Sequence, residues 1–202
     1  MKSNGWYRKT EVRTLIHTLA NRIASIFVLY GESTEEDRDI YVYAYEILLS
    51  NILSLGLGLI IAIIFGRVME GIVFMASFIV LRRCTGGYHA NTHFKCILTF
   101  AVVLICTMLI LSTAYNMQAE SILLIVAGIA SVVICLLAPV EHANKPITED
   151  LRKAQKVKSR WITLALLVLC FVDFFVLSLG IGTSLSLSIF FVCIGMVYAV
   201  IQ

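Results

Sequence analysis

The sequence predicts an all-α fold: a polytopic transmembrane helix bundle of about six membrane segments, the second short or broken, preceded by an N-terminal amphipathic helix. Three observations carry that expectation. The 202-residue chain is 59% hydrophobic and 14% charged, against about 45–50% apolar and about 25% charged in soluble domains. Its apolar residues gather in runs, most of them close to the ~17–25 residues that a spanning helix needs. The basic residues cluster in alternate connections between those runs, as the positive-inside rule requires. A net charge of +3 distributed in this way fits membrane topology and argues against a nucleic-acid partner.

Residues 1–43 read as cytoplasmic amphipathic helices and residues 44–202 as a single transmembrane domain. The opening lacks a short apolar core followed by a small-residue cleavage site, the mark of a secretory signal, so the N-terminus is expected to stay in the cytoplasm. Between residues 10 and 30, Val12, Leu15, Ile16, Leu19, Ile23, Ile26, Phe27 and Tyr30 recur at helical spacing with Glu11, Arg13, Asn21 and Arg22 among them. Such a helix suits either the membrane interface or the side of the bundle. Ser33 and Glu36 form a capping box, which starts a second helix near Thr34 that runs through Tyr41, Tyr43 and Tyr45 into the first span.

Apolar runs follow at about 44–65, 71–81, 97–115, 121–138, 161–179 and 185–201. The second is anomalous, because its eleven residues would rise only about 16 Å as a helix. Either that helix continues past Arg82 and Arg83, whose stems can snorkel, or it stops partway and irregular chain follows. Arg82, Arg83 and Lys95 flank one connection, and Lys145, Arg152, Lys153, Lys156, Lys158 and Arg160 crowd another, whereas 116–120 and 180–184 hold no Lys or Arg. This puts the N-terminus, the 82–96 loop, the basic 140–160 loop and the C-terminus on the cytoplasmic side, with Arg67 opposite. Within 148–160, Glu149 and Asp150 at the start and Lys156, Lys158 and Arg160 at the end match a helix dipole, on a surface suited to anionic lipid or an acidic peptide. Cys106, Cys135, Cys170 and Cys193 sit inside apolar runs and read as small hydrophobes, not as a disulfide framework.

The chemically informative stretch runs from Arg82 through Cys84, Gly86, Gly87, His89, Asn91 and His93 to Cys96. Polar backbone at membrane depth is tolerated only where protein or water satisfies it, so this loop is a candidate cavity. Cysteine catalysis needs a thiolate with a proton acceptor in hydrogen-bond reach, and His89 and Cys96 supply both types. On one continuous helix their seven-residue separation would leave them about 10.5 Å apart along the axis. A break is therefore required, and Gly86, Gly87 and Asn91 offer it, with Asn91 or Thr92 able to cap a new helix whose dipole favours a thiolate at Cys96. A loop histidine and a core cysteine are the commoner explanation of such a pair, and spacing alone does not displace it. His89, His93 and Cys96 also have the types of zinc ligands, but no second ligand cluster accompanies them. Cys84 reads as a boundary cysteine. Asp173 is an acid within a span, a functional suspect by default, but toward the far face, where a helix contact suits it better than a role beside His89.

The chain resembles the accessory gene regulator protein B family on Arg82-Arg83, Gly86-Gly87, His89-Ala90 and Cys96, reinforced by the later stretch Ala138-Pro139-Val140-Glu141-His142-Ala143-Asn144-Lys145-Pro146. The resemblance implies a bacterial cell-membrane cysteine endopeptidase, multi-pass, with its active site on the cytoplasmic side. Cys96 would be the nucleophile and His89 the base, and Arg82 and Gly87 fall on motif positions important for activity. Its substrate would be a small amphipathic precursor peptide with an acidic C-terminal tail, cleaved through an acyl-enzyme and cyclised to a thiolactone or lactone quorum-sensing signal. Beyond the resemblance, Gly86 and Gly87 permit close backbone approach and Arg82, Arg83 or Lys145 could hold an acidic tail by ion pairs, as substrate-binding or supporting residues, and no metal or cofactor is expected. Besides the precursor, the partners are the lipid bilayer and, left open, a second copy of the chain. A small membrane transporter and a zinc-dependent membrane hydrolase are the rival readings.

Overall fold

The computed structural model describes residues 11–29, 38–87, 93–140 and 149–201. These form helices α1 (Glu11–Leu29), α2 (Arg38–Ile64), α3 (Val68–Thr85), α4 (His93–Met117), α5 (Glu120–Leu137) and α6 (Glu149–Val172), a π-helical turn (Asp173–Leu177) and α7 (Ile181–Ile201). No strand occurs among the described residues. The all-α transmembrane class expected from composition is the one observed. Five helical stretches, Arg38–Ile64, Lys95–Met117, Glu120–Leu137, Glu149–Leu177 and Ile181–Ile201, are long and apolar enough to cross a membrane. Helix α3 takes the first of its two expected courses: it runs past Arg82 and Arg83 to Thr85, and at 18 residues it is short. The proposed capping box at Ser33 and Glu36 lies outside the described residues.

The chain divides into two compact units. The first holds α1, α2 as far as Gly56 and the start of α4 as far as Phe100. Here the apolar stripe of α1 closes on α2: Ala20 and Ala24 are fully buried with Val42, and Tyr45 and Leu49 pack beside them. Phe27 and Tyr45 meet with ring centroids 5.7 Å apart. Polar groups flank the seam, with His17 Nδ1 2.6 Å from Glu46 Oε1 and Arg38 donating to Asn21 Oδ1 at 3.0 Å. Within this unit α1 packs on α2 and leaves Leu19 and Ile26 exposed.

The second unit holds α2 from Leu57, α3, α4 from Ala101, and α5 to α7. Helix α7 is its hub, contacting α3, α5 and α6. Every residue from Gly182 to Ile189 is buried, including Ser184, Ser186 and Ser188, since small side chains let membrane helices approach closely. Phe74 of α3 meets Phe191 of α7 edge-on at 6.3 Å. Gly71 lies so close to α2 that a Cβ there would come 2.5 Å from the Ala62 Cβ.

Helix ends follow local chemistry. Gly66 adopts φ 66°, with Gly66 N–H donating to Ile63 O at 2.9 Å and Arg67 N–H to Ala62 O at 2.9 Å, a Schellman motif that ends α2. The same pair of bonds ends α4, from Gln118 N–H to Tyr115 O and from Ala119 N–H to Ala114 O, with Gln118 rather than glycine at φ 53°. The basic segment of 148–160, from Glu149 on, runs into the following span without a break. The 29 residues from Glu149 to Leu177 extend about 43 Å, beyond the ~30 Å of hydrocarbon, which leaves length for Arg152, Lys153 and Lys156 to project from it.

Candidate active site

Helix α3 delivers the motif to its end in a fixed order. Arg82 is half-buried with its guanidinium 5.7 Å from the Phe78 ring centroid, Arg83 is exposed, Cys84 is half-buried, and Thr85 is fully buried. Gly86 then turns the chain out of the helix at φ 72° and ψ −153°, a combination open essentially to glycine alone. Its N–H donates to Arg82 O at 3.1 Å. That amide therefore closes the last helical turn. The carbonyl of Thr85, one of the acceptors that a helix end leaves unpaired, receives the N–H of Val140 at 2.9 Å, and Gly86 pairs with Val140 as a parallel bridge. A Cβ on Gly86 would collide with the Val140 carbonyl oxygen. Gly87 is buried at φ 124°, facing α7, where a Cβ would meet Gly195 O at 3.5 Å.

The two stretches that sequence singled out, 82–96 and 138–146, thus meet through their backbones. Side-chain spacing gave no warning of this, since the contact is a main-chain bond between residues 55 positions apart in sequence; only the Gly86-Gly87 pair hinted at a close approach.

Helix α3 ends at Thr85, Gly86 and Gly87 leave it, and the described part of α4 starts at His93; the segment between His89 and Cys96, where the proposed pair requires a break, falls largely outside the described residues. Cys96 is the fourth residue of α4 and its thiol is exposed and free. His89, Asn91, Thr92, Glu141 and Lys145 lie outside the described residues. Of the three side chains considered for zinc, only that of Cys96 is described.

A second polar cluster lies where α4, α5, the π-turn and α7 converge. Asp173, only 4% exposed, accepts the N–H of Leu179 at 3.1 Å through Oδ1 and that of Gly182 at 2.7 Å through Oδ2, so it caps the start of α7. Tyr115 donates its hydroxyl to Gly180 O at 2.5 Å, and Arg67 lies 4.6 Å from the centroid of the Tyr115 ring while ion-pairing with Glu70 at 3.1 Å. Asp173, Tyr115, Glu120, Thr183 and Ser186 line a cavity of about 350 Å³. It opens at the first turns of α5, whose 18 residues separate it from the Val140 bridge by about 27 Å. Asp173 is accordingly a helix contact far from the loop. Sequence reading placed Arg67 only as a loop charge and passed over Tyr115, and nothing but their position at helix ends could have marked their contact.

No solved structure matches the chain. It is 26% identical over 156 residues to AgrB-like protein 2 of Clostridium perfringens (strain 13 / Type A), covering 75% of this chain and 73% of the relative. To an AgrB-like protein of C. perfringens (strain SM101 / Type A) it is 23% identical over 159 residues, covering 76% and 74%. The family model described as Accessory gene regulator B matches residues 19–196, from within α1 to within α7. With that match across both compact units and five helices fit to span a bilayer, the chain belongs to the accessory gene regulator B family, the membrane proteins of the accessory gene regulator quorum-sensing system.

Proposed function

We propose that the protein is a membrane cysteine endopeptidase that cuts a small precursor peptide and promotes its cyclisation. The observation that carries this reading is the interruption between α3 and α4, which leaves Cys96 exposed in the first turn of α4 with His89 in the intervening segment. A helix N-terminus favours an anion, and a thiol placed there is more readily a thiolate.

In the proposed reaction His89 takes the proton of the Cys96 thiol, and the sulfur attacks the carbonyl carbon of the scissile peptide bond. The C–N bond breaks as His89 returns the proton to the leaving amine, and the precursor's acidic tail departs, leaving a thioester on Cys96. An internal thiol or hydroxyl of the bound precursor then attacks that thioester. Its proton passes through His89 to the Cys96 sulfur, and the ring closes as a thiolactone or lactone. Arg82, Arg83 and Lys145 would hold the tail by ion pairs, while Gly86 and Gly87 allow the backbone to approach closely. Loop charges support a cytoplasmic site and N-terminus in a bacterial cell membrane.

Co-expression with short precursor peptides encoded beside the gene, followed by mass spectrometry, tests the proposal. An adduct on Cys96 and a released tail are expected with wild type, and neither product with Cys96→Ala or His89→Ala. Cleavage that survives both substitutions would sink the reading.

A further inference from the structure

The end of α3 is seated from two sides. Thr85 accepts the N–H of Val140 at 2.9 Å, and Gly87, two residues further on, is buried against Gly195 of α7. Within 138–140 the donor has no substitute. Ala138 already donates to Ile134 O at 2.8 Å, and Pro139 has no N–H. Val140 is therefore the first residue after α5 able to bond the loop, and Thr85 is the last residue of α3 able to receive it. Two residues beyond Gly87 the chain can stray at most about 7 Å from it. A group carried there stays within that reach of the seat.

We infer that Val140 is a positioning residue for acylation, acting through its main-chain N–H on Thr85 and so fixing where the histidine-bearing segment leaves α3. The inference rests on the endopeptidase reading above. Its role is indirect, carried by the main-chain N–H and not by the side chain. Near-attack geometry is steep, with a displacement of about 1 Å costing about 10²-fold in rate.

The test uses the full-length protein in lipid vesicles with the synthetic precursor encoded beside the gene. Val140→Pro removes the N–H, and Val140→Ala keeps it. Two readouts are taken: acylation of Cys96 as a function of precursor concentration, and hydrogen exchange of residues 82–87, α5 and α7. In Val140→Pro the kcat for acylation should fall about 10²-fold with KM nearly unchanged, and exchange should quicken at 85–87 while α5 and α7 keep their protection. Val140→Ala should match wild type in both. Equal acylation by wild type and Val140→Pro, or equal loss in Val140→Pro and Val140→Ala, overturns the inference. So does unaltered exchange at 85–87, or acceleration spread through α5 and α7, because the bond would then serve nothing or hold the whole bundle. Absence of any Cys96 adduct in wild type would bring down the endopeptidase reading instead, and the exchange comparison would still decide whether Val140 seats the loop.

Discussion

Removing the Asp173 carboxylate should destabilise the bundle without abolishing the proposed precursor cleavage. Its two oxygens accept the N–H groups of Leu179 and Gly182, and the side chain is 4% exposed. Asp173→Ala leaves both donors unpaired in a setting with little water. Hydrogen bonds to a charged group contribute about 1.5–3 kcal/mol each, so two give an upper range of about 3–6 kcal/mol, and partial rehydration through the adjoining cavity argues for the lower end. At about 2–4 °C per kcal/mol for a chain of this size, a loss of about 3 kcal/mol lowers Tm by about 6–12 °C. Asp173→Asn keeps one acceptor and should fall between. The assay is heating in mild detergent with the surviving monodisperse protein quantified by fluorescence-detected size exclusion, alongside precursor cleavage at a temperature where each variant is folded. A Tm within 2 °C of wild type combined with lost cleavage would refute the capping argument and make Asp173 a functional acid.

Three further substitutions probe the same geometry. Gly71→Ala should lower stability by about 1–3 kcal/mol, because its Cβ would fall 2.5 Å from the Ala62 Cβ, which has no flexible end to move; thermal unfolding that matches wild type would contradict the close α2–α3 contact. Gln118→Gly should raise stability by about 0.5–1 kcal/mol, since φ 53° is a strained setting for a residue with a Cβ, and the Tm reads the gain. Tyr115→Phe removes the hydroxyl that bonds Gly180 O and should cost about 1 kcal/mol with cleavage retained, as measured by the same heating assay.

How much of this was legible in the sequence depended on the range of the cause. Long apolar runs gave α2 and α4 to α7, because length and hydrophobicity are local properties. Helix α3 stayed ambiguous, since Arg82 and Arg83 interrupt its apolar run, and hydropathy cannot tell a charged last turn from a break. Similarly, the drop in hydropathy near residue 160 does not stop α6: Glu149 to Arg160 is rich in good helix formers, so one helix carries both characters. Cys96 and His89 stood out only as residue types at a spacing, whereas Gly86 and Gly87 marked where α3 stops. The Thr85–Val140 bond was not visible, as a main-chain hydrogen bond leaves its trace only in the small residue that tolerates it. The contact of Tyr115 with Arg67 was hidden for a related reason, belonging to helix ends that only the fold brings together.

Half of the most apolar stretch of α7 is buried, against 28% or less in the other four spanning helices. Because α3, α5 and α6 all lean on a segment that is translated after them, each enters the bilayer before the part of its inward face that meets α7 has a partner. Insertion and folding are thereby separated in time. Early helices wait in lipid, where a lone apolar surface is at ease, and the bundle closes when Gly182 to Ile189 arrive. A ribosome stalled before residue 181 should leave a fully inserted yet protease-sensitive intermediate, and the backbone seat at Gly87, which needs Gly195, would be among the last features to form.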